Sequence, residues 1–213
     1  MTKIVIENSR TIPLLSEHFA NLCWVCKAAA KAPDIREYVK QKIHAQDGIL
    51  CATDGHRLHL YLQDLDSLPE SVCVPDGLWE IKSKNGKLIV LERVDNEELV
   101  FPNYWNVFSP KALQIGRYDA RDATDKDAHS VSLDEFLYHV HVNAGMYFNH
   151  DYITEAFIPG YELTIEKHGK AMLVLGNDKI LAAVMGLAWK KSRFRKVKNQ
   201  PPDLTAGEFN RGE

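Results

Sequence analysis

Apolar side chains recur three or four positions apart between residues 12 and 30, a spacing that places them on one face of a helix. The residues of this face are Ile12, Leu15, Phe19, Leu22, Cys26 and Ala29. Pro13 suits the first helical turn, where its missing N–H costs nothing, and Pro33 disfavours continuation of the helix. The pattern therefore predicts one amphipathic helix over 12–30.

Shorter apolar stretches separated by turn residues predict that most of the remaining chain forms strands. Asp54-Gly55 and Asn85-Gly86 each predict a tight hairpin turn, because these residue types tolerate a positive φ. Two short helices are expected, one at 132–137, where Ser132 and Glu135 form a capping pattern, and one at 150–157. Strands are predicted at 1–6, 34–45, 48–53, 56–62, 71–74, 78–82, 87–92, 98–101, 161–167, 170–175 and 179–185.

Composition excludes several classes of protein. The 213 residues are 45% hydrophobic and 26% charged, as in ordinary globular proteins and unlike disordered or fibrous ones. The net charge of -3 argues against a protein that coats DNA with its whole surface. No signal peptide pattern opens the chain, and its four cysteines lack the dense spacing of a disulfide scaffold, so a cytoplasmic location is expected.

The run Ala52-Thr53-Asp54-Gly55-His56-Arg57-Leu58 is too particular to be explained by the turn alone, since a turn requires neither His56 nor Arg57. This run resembles a hairpin in the middle domain of the bacterial DNA polymerase III β subunit, the sliding clamp. Three further parts of the chain resemble that family in the family's order. They are residues 34–39, the Phe-Pro-Asn-Tyr stretch at 101–108, and the pair of segments at 148–153 and 182–185.

The resemblance implies an α+β, DNA-clamp-like fold, rich in strands with few short helices and built from degenerate β-α-β-β-β units. Residues 1–108 would correspond to the middle domain, although Pro75-Asp76-Gly77 leaves hardly one turn for the helix of its second half-unit. Residues 109–130 are polar and rich in Asp, and they are predicted to form a linker. Residues 131–189 would be a reduced last domain, followed by a basic and then polar tail at 190–213.

In the family, the hairpin, the linker and the C-terminal strand form a pocket for short peptides of partner proteins such as DNA polymerases. Leu58, Val107, Met185 and Leu187 would supply apolar walls for a Leu or Phe anchor. Arg57 and His56 would orient the peptide, or would only tie down the hairpin. Carried over residue by residue, the pocket positions are Val39, Thr53, Gly55, His56, Arg57, Leu58, Pro102, Asn106, Val107, Met185, Leu187 and Trp189. The stretch Met185-Gly186-Leu187-Ala188-Trp189 departs from the family's Met-Pro-Met-Arg-Leu ending.

Contact with double-stranded DNA is a weaker expectation. Clamp helices line the hole of the ring and usually present Lys and Arg to the phosphates. The candidates here are Lys27, Lys31, Arg193, Arg195 and Lys196, the last three within a basic run that is equally typical of a solvated tail. A chain of two such domains could close a ring of six domains as a trimer, with a monomer or dimer as the alternative.

Signals for an enzyme are weaker still, and neither a cofactor nor a bound metal is expected. Cys23 and Cys26 form a C-x-x-C within the predicted helix, where core packing is the default for a free thiol. His139 and His141, with His129 and His150 nearby, could share a metal only if strand spacing aligned their imidazoles. No phosphate loop, nucleophile elbow or zinc-protease helix is present.

Two hypotheses about function follow from the sequence. The first is a reduced, non-enzymatic sliding clamp, a processivity factor in DNA replication that tethers partners through the pocket. The second is a clamp-fold interaction module, encoded by a phage or mobile element, that does not encircle DNA.

Overall fold

The computed structural model of the protein describes residues 2–9, 11–29, 42–94, 101, 103–108, 113–119, 147–156, 162–168 and 172–187. Two α-helices lie within these ranges, α1 (Pro13–Ala28) and α2 (His150–Ala156), with one 3₁₀ turn at Tyr104–Val107. The strands of the same ranges are β1 (Lys3–Glu7), β2 (Lys42–Gln46), β3 (Ile49–Thr53), β4 (Arg57–Leu62), β5 (Gly77–Lys84), β6 (Leu88–Arg93), β7 (Leu113–Asp119), β8 (Tyr147–Phe148), β9 (Glu162–His168), β10 (Met172–Gly176) and β11 (Ile180–Leu187).

These strands form one antiparallel sheet in the order β1-β6-β5-β2-β3-β4-β11-β10-β9-β7, and β8 pairs with the end of β11. The ladder between β4 and β11 joins the N-terminal and C-terminal parts of the chain. Its register pairs Leu58 with Ala183 and Arg57 with Val184. The α+β, strand-rich fold class predicted from the sequence is confirmed.

Both helices pack on one face of the sheet, over the larger of two apolar clusters. This cluster takes Phe19, Leu22 and Val25 from α1 and Ile153 and Ala156 from α2. Strands from both parts of the chain complete it, among them β2, β3, β5, β6, β10 and β11. The core under the helices therefore belongs to both parts of the chain at once.

Helix α1 follows the predicted apolar spacing and begins at Pro13. Its buried face also contains His18, which stays buried because both ring nitrogens are bonded. His18 Nε2 donates to the Val72 carbonyl at 3.0 Å, and Nδ1 accepts from the Tyr61 hydroxyl at 3.1 Å. A buried polar ring of this kind fixes the helix in one position, since any slip would break two hydrogen bonds.

Two predictions of local structure are wrong. Residues 71–74 form turns and not a strand, because the Gln63 side chain bonds both the N–H and the carbonyl of Val74 and takes the place of a neighbouring strand. Residues 113–119, predicted as part of a linker, form β7 against β9. The predicted helix at 132–137 and the strand positions at 34–41 and 98–100 lie outside the described residues.

Neither helix in the described part of the chain is long and apolar enough to cross a membrane.

Candidate functional site

The turn between β3 and β4 is a hydrogen-bonded unit built from its own side chains. Gly55 has a φ of 86°, the left-handed conformation that glycine adopts without strain. Thr53 Oγ1 donates to the Arg57 carbonyl at 2.6 Å and accepts from the Gly55 N–H at 3.0 Å. Asp54 Oδ1 accepts the N–H groups of His56 and Arg57 at 2.9 and 3.0 Å. Thr53 and Gly55 thus shape the turn.

Strand β11 lies directly beside this hairpin. The Met185 N–H donates to the His56 carbonyl at 2.9 Å, which continues the β4–β11 ladder to the turn. Because side chains alternate along a strand, Leu181, Ala183 and Met185 lie on one face of β11. Two of the three stretches predicted to build a pocket are therefore adjacent.

Aromatic residues of the third stretch belong to the same apolar cluster as Leu58, and Phe101 stacks there on His44 of β2 at 4.9 Å. Leu58 belongs to the second, smaller apolar cluster, on the face of the sheet opposite the helices. The buried members of this cluster are Cys51, Leu58, Leu60, Leu78, Phe101, Tyr104, Val174 and Ala183, and Phe108 packs against them. Phe101, Tyr104 and Phe108 thus cover part of this side of the sheet, which we call the Leu58 face.

Large apolar groups at the Leu58 face remain open to solvent. Met185 is 41% exposed, and Trp105 is 55% exposed with its ring 5.9 Å from that of Phe108. Leu58 itself is only 6% exposed. The face therefore combines a packed centre with accessible apolar groups, an arrangement that suits an apolar anchor of a partner.

Arg57 does not take part in the Leu58 face. It precedes Leu58 on β4 and so points to the helix side, where it is 6% exposed. Its guanidinium donates to Asp54 Oδ2 at 3.1 Å, to the Lys27 carbonyl at 2.6 Å and to Glu155 Oε2. The guanidinium carbon also lies 4.6 Å from the ring centre of Tyr152. Arg57 thus ties the hairpin to both helices.

His56 is exposed, and its ring also lies beside α2, stacked at 6.4 Å on Tyr152. Both side chains therefore lie beside α2, as in the alternative expectation that they tie down the hairpin. Burial, followed by the neighbouring Asp54, raises the pKa of the Tyr152 phenol.

The histidine of β4, His59, is fully buried under α1. Its ring stacks on Trp24 at 4.1 Å, and its Nδ1–H donates to the Trp24 carbonyl at 2.8 Å. Burial, reinforced by the positive charges of Arg57 and Lys27, lowers the pKa of His59 to about 3, against the smaller opposing effect of the Trp24 hydrogen bond. His59 is therefore a neutral structural residue at ordinary pH.

The remaining predicted residues fall into two groups. Asn106 and Val107 lie in the 3₁₀ turn and Leu187 is the last residue of β11, so their backbones belong to the elements around the Leu58 face. Lys27 is exposed in the last turn of α1. The others lie outside the described residues: Val39, Pro102, Trp189, Lys31, Arg193, Arg195, Lys196, His129, His139 and His141.

In the described part of the chain no three His, Cys, Asp or Glu side chains are grouped to hold an ion, and of the four histidines considered as metal ligands this part contains His150 alone. Cys26 is buried in the core, and burial raises the pKa of its thiol to about 12. His150 is exposed and its carbonyl accepts the hydroxyl of Thr154 at 2.9 Å.

Sequence reasoning missed the aromatic residues that form most of the Leu58 face. Phe101, Tyr104, Trp105 and Phe108 follow the spacing of one helical face, which could have indicated a short amphipathic segment. It also missed Glu155, whose pairing with Arg57 spans 98 positions of sequence and leaves no local signal.

The fold and this face define a class of protein. It has an antiparallel sheet with helices on one side, and on the other side a hairpin, the strand β11 and a group of aromatic residues share one apolar cluster. No family model and no curated protein matches the chain. Solved structures do match, and bacterial sliding clamps are among them. The chain has the sliding-clamp fold, as the resemblance in its sequence predicted.

Three of these structures illustrate the likeness. The DNA polymerase III subunit beta of Borrelia burgdorferi aligns with a TM-score of 0.52 at 12% identity, over 88% of this chain and 63% of the clamp. The sliding clamp of Bacillus subtilis aligns at 0.51 and 12% identity, over 88% and 64%. The beta chain of Streptococcus pneumoniae aligns at 0.51 and 11%, over 88% and 65%. This chain thus spans less than two thirds of the length of these clamps.

Proposed function

We propose that the protein is a reduced, non-enzymatic clamp-like protein of DNA replication that tethers DNA polymerase or other partners through a short peptide bound at the Leu58 face. The observation that carries this proposal is the single apolar cluster that joins Leu58 of the hairpin, Ala183 of β11 and the aromatic residues Phe101 and Tyr104, with Met185 exposed on the same face of β11. The sliding-clamp fold supports a replication role, and the expected location of such a protein is the cytoplasm.

The apolar groups determine what the face can bind. Burying the exposed parts of Met185 and Trp105 against a Leu or Phe side chain would contribute about 25 cal/mol for each Å² of apolar surface removed from water. Because Arg57 is engaged with α2 and His56 lies beside Tyr152, the peptide's polar groups would be met mainly by backbone at the margin.

The test is titration of the full chain into a fluorescein-labelled clamp-binding peptide with Leu and Phe anchors, followed by anisotropy. Wild type should bind saturably, and Met185→Asp should weaken binding by about tenfold or more, or 1.4 kcal/mol, because a carboxylate would be desolvated against the anchor. Met185 suits this test better than Leu58, since a charge placed at buried Leu58 would damage folding directly.

Leu65→Asp is the matched control. Leu65 is also largely exposed, at 53%. It lies against Gly48, at the open end of the β3–β4 hairpin and far from the turn beside Leu58. Its variant should bind the peptide within about twofold of wild type, as expected for a surface change remote from the site. Absence of saturable binding by wild type, or equal binding by both variants, would contradict the proposed function.

A second candidate function is a clamp-fold interaction module that does not encircle DNA. The charges of the two helices favour it. Apart from histidines, the ionisable side chains of α1 and α2 that carry charge at neutral pH are Glu17, Lys27, Asp151 and Glu155. Two of the three carboxylates are paired, Glu17 with Lys179 and Glu155 with Arg57, so Lys27 is the one basic side chain that the two helices offer to phosphates.

Mass in solution and retention on circular DNA separate the two functions. A ring-forming clamp would be a stable oligomer that stays on closed circular DNA and is released when the circle is cut. A strict monomer that leaves circular and linear DNA equally fast would be the module. Peptide binding is expected in both cases, so this experiment decides only whether the protein encircles DNA.

A further inference from the structure

We propose that Arg57 and Glu155 act as positioning residues that hold the β3–β4 hairpin in register with β11 for the proposed peptide, without touching the peptide themselves. The proposal rests on the function proposed above and assigns a role to a junction on the opposite side of the sheet from the Leu58 face.

The first step is the orientation of Arg57. Arg57 and Leu58 are consecutive on β4, so their side chains emerge on opposite faces. The partners across the ladder agree with this, because Val184 opposite Arg57 is buried under the helices, whereas Ala183 opposite Leu58 belongs to the second cluster. A peptide on the Leu58 face would therefore be separated from the guanidinium by the thickness of the sheet.

The second step is what the guanidinium joins. Asp54 belongs to the hairpin turn, the Lys27 carbonyl to the last turn of α1, and Glu155 to α2. The Arg57 side chain is 5% exposed, and the flat group also covers the ring of Tyr152 on α2. Arginine suits this place because its planar fork can donate in several fixed directions at once, which a lysine ammonium cannot do.

The third step connects this junction to the binding face. The hairpin turn is held to β11 by the hydrogen bond from the Met185 N–H to the His56 carbonyl. Residue 56 lies next to Arg57, so a hairpin released from α2 would change the position of this bond and of Met185 relative to Leu58. Glu155 should thus control the geometry of a face that it does not contact.

The experiment is a double-mutant cycle on the full chain with Arg57→Met, Glu155→Gln and the double variant, read by the anisotropy titration of the Leu- and Phe-anchored peptide. Each single change should weaken binding about tenfold, and the double variant should be no weaker than about twice the worse single variant, because both remove one linkage. Glu155→Gln is the conservative member, since Glu155 is partly exposed and the substitution preserves its shape.

Two controls separate positioning from a general loss of stability. Glu17→Gln makes the same chemical change in an exposed pair with Lys179, at 3.0 Å, and should leave peptide affinity within about twofold. Ile153→Val removes one buried methyl group from α2 and should lower the unfolding midpoint without changing the affinity of the folded protein.

Hydrogen exchange of the free protein gives a readout that needs no peptide. Glu155→Gln should speed exchange at the amides of His56, Arg57 and Met185 while leaving the middle of α1 at the rate of wild type. Suppose that Arg57→Met weakens peptide binding while Glu155→Gln leaves the affinity as unchanged as Glu17→Gln does. Arg57 then acts on the peptide without Glu155, and the proposal is overturned. If wild type binds no peptide, the proposed function fails, and unchanged exchange at these three amides then independently overturns the hairpin linkage.

Discussion

The two faces of β4 bury different kinds of side chain. On the helix side, Arg57, His59 and Tyr61 are buried among specific partners: an ion pair, a backbone carbonyl and the His18 ring. On the Leu58 face, Leu58 and Leu60 pack among apolar and aromatic residues, and Leu62 is 47% exposed. Along β4, the helix side therefore adds directional bonds to its apolar packing, whereas the opposite side is held by apolar and aromatic contact.

This difference separates the tasks of the two faces. Buried polar groups tolerate little change, because each must keep its partner or pay a desolvation cost. Apolar packing tolerates a change of partner, since it has no direction. The Leu58 face is thus the side that can bind an apolar side chain of a partner, and the helix side holds the hairpin in place.

The largest expected effect is loss of the directional network. Arg57→Met should lower the free energy of unfolding by about 3–5 kcal/mol, because removal of one partner leaves carboxylates of Asp54 and Glu155 without their cation. Lys179→Met, which breaks the exposed pair with Glu17, should cost less than about 1 kcal/mol. Urea denaturation measures both, and equal losses would abolish the distinction between the two kinds of contact.

Next in size is a cavity on the apolar side. Leu58→Ala should lower the free energy of unfolding by about 2–3 kcal/mol, since Leu58 is buried in the second cluster. Leu62 lies on the same face near the end of β4 and is half exposed. Leu62→Ala should therefore cost less than about 1 kcal/mol. If Leu62→Ala lowered the free energy of unfolding as much as Leu58→Ala, the Leu62 side chain would be buried by other parts of the protein.

Acid should weaken the fold through its buried histidines. The pKa of folded His59 is about 3, below its usual 6.5, so protons bind more readily to the unfolded chain. The free energy of unfolding should therefore be fully present above pH 6.5, fall as the pH drops through the window from 6.5 to 3, and have lost about 2 kcal/mol from this residue by pH 5. Burial lowers the pKa of His18 as well, which acts in the same direction.

Urea denaturation at a series of pH values measures this slope. His59→Phe keeps a flat ring against Trp24 and removes the titrating group, so it should flatten the slope between pH 4 and 6.5. An unchanged slope in this variant would mean that other groups carry the acid sensitivity.

The local elements could be predicted from the sequence, because their signals are short in range. Pro13 and the apolar spacing gave α1, and Asp54-Gly55 and Asn85-Gly86 gave their hairpins within a residue or two. Residues 71–74 were wrongly predicted as a strand because Val72, Cys73 and Val74 are residue types common in strands. The backbone of Val74 instead forms its hydrogen bonds with the Gln63 side chain.

The faces could not be predicted in the same way. The alternation Arg57-Leu58-His59-Leu60 suggests that Arg57 and His59 face solvent, yet α1 and α2 cover them. The partners that make this burial acceptable are distant in sequence, as Glu155 is, or are backbone carbonyls, which carry no sequence signal. The two-residue alternation of a strand determines which residues share a face. Which of the two faces lies under the helices depends on the tertiary partners.

The smallest expected effect on stability concerns Met185, and it sharpens the contrast between the faces most directly. Met185→Ala should change the free energy of unfolding by less than about 0.5 kcal/mol, because the side chain is largely exposed. Val184→Ala, one residue earlier and fully buried under the helices, should cost about 1.5–2.5 kcal/mol. In the peptide titration the order should reverse, with Met185→Ala weakening binding and Val184→Ala leaving the folded protein's affinity nearly unchanged. A large loss of stability at Met185 would mean that this side chain supports the fold and is not an exposed group that the Leu58 face offers to a partner.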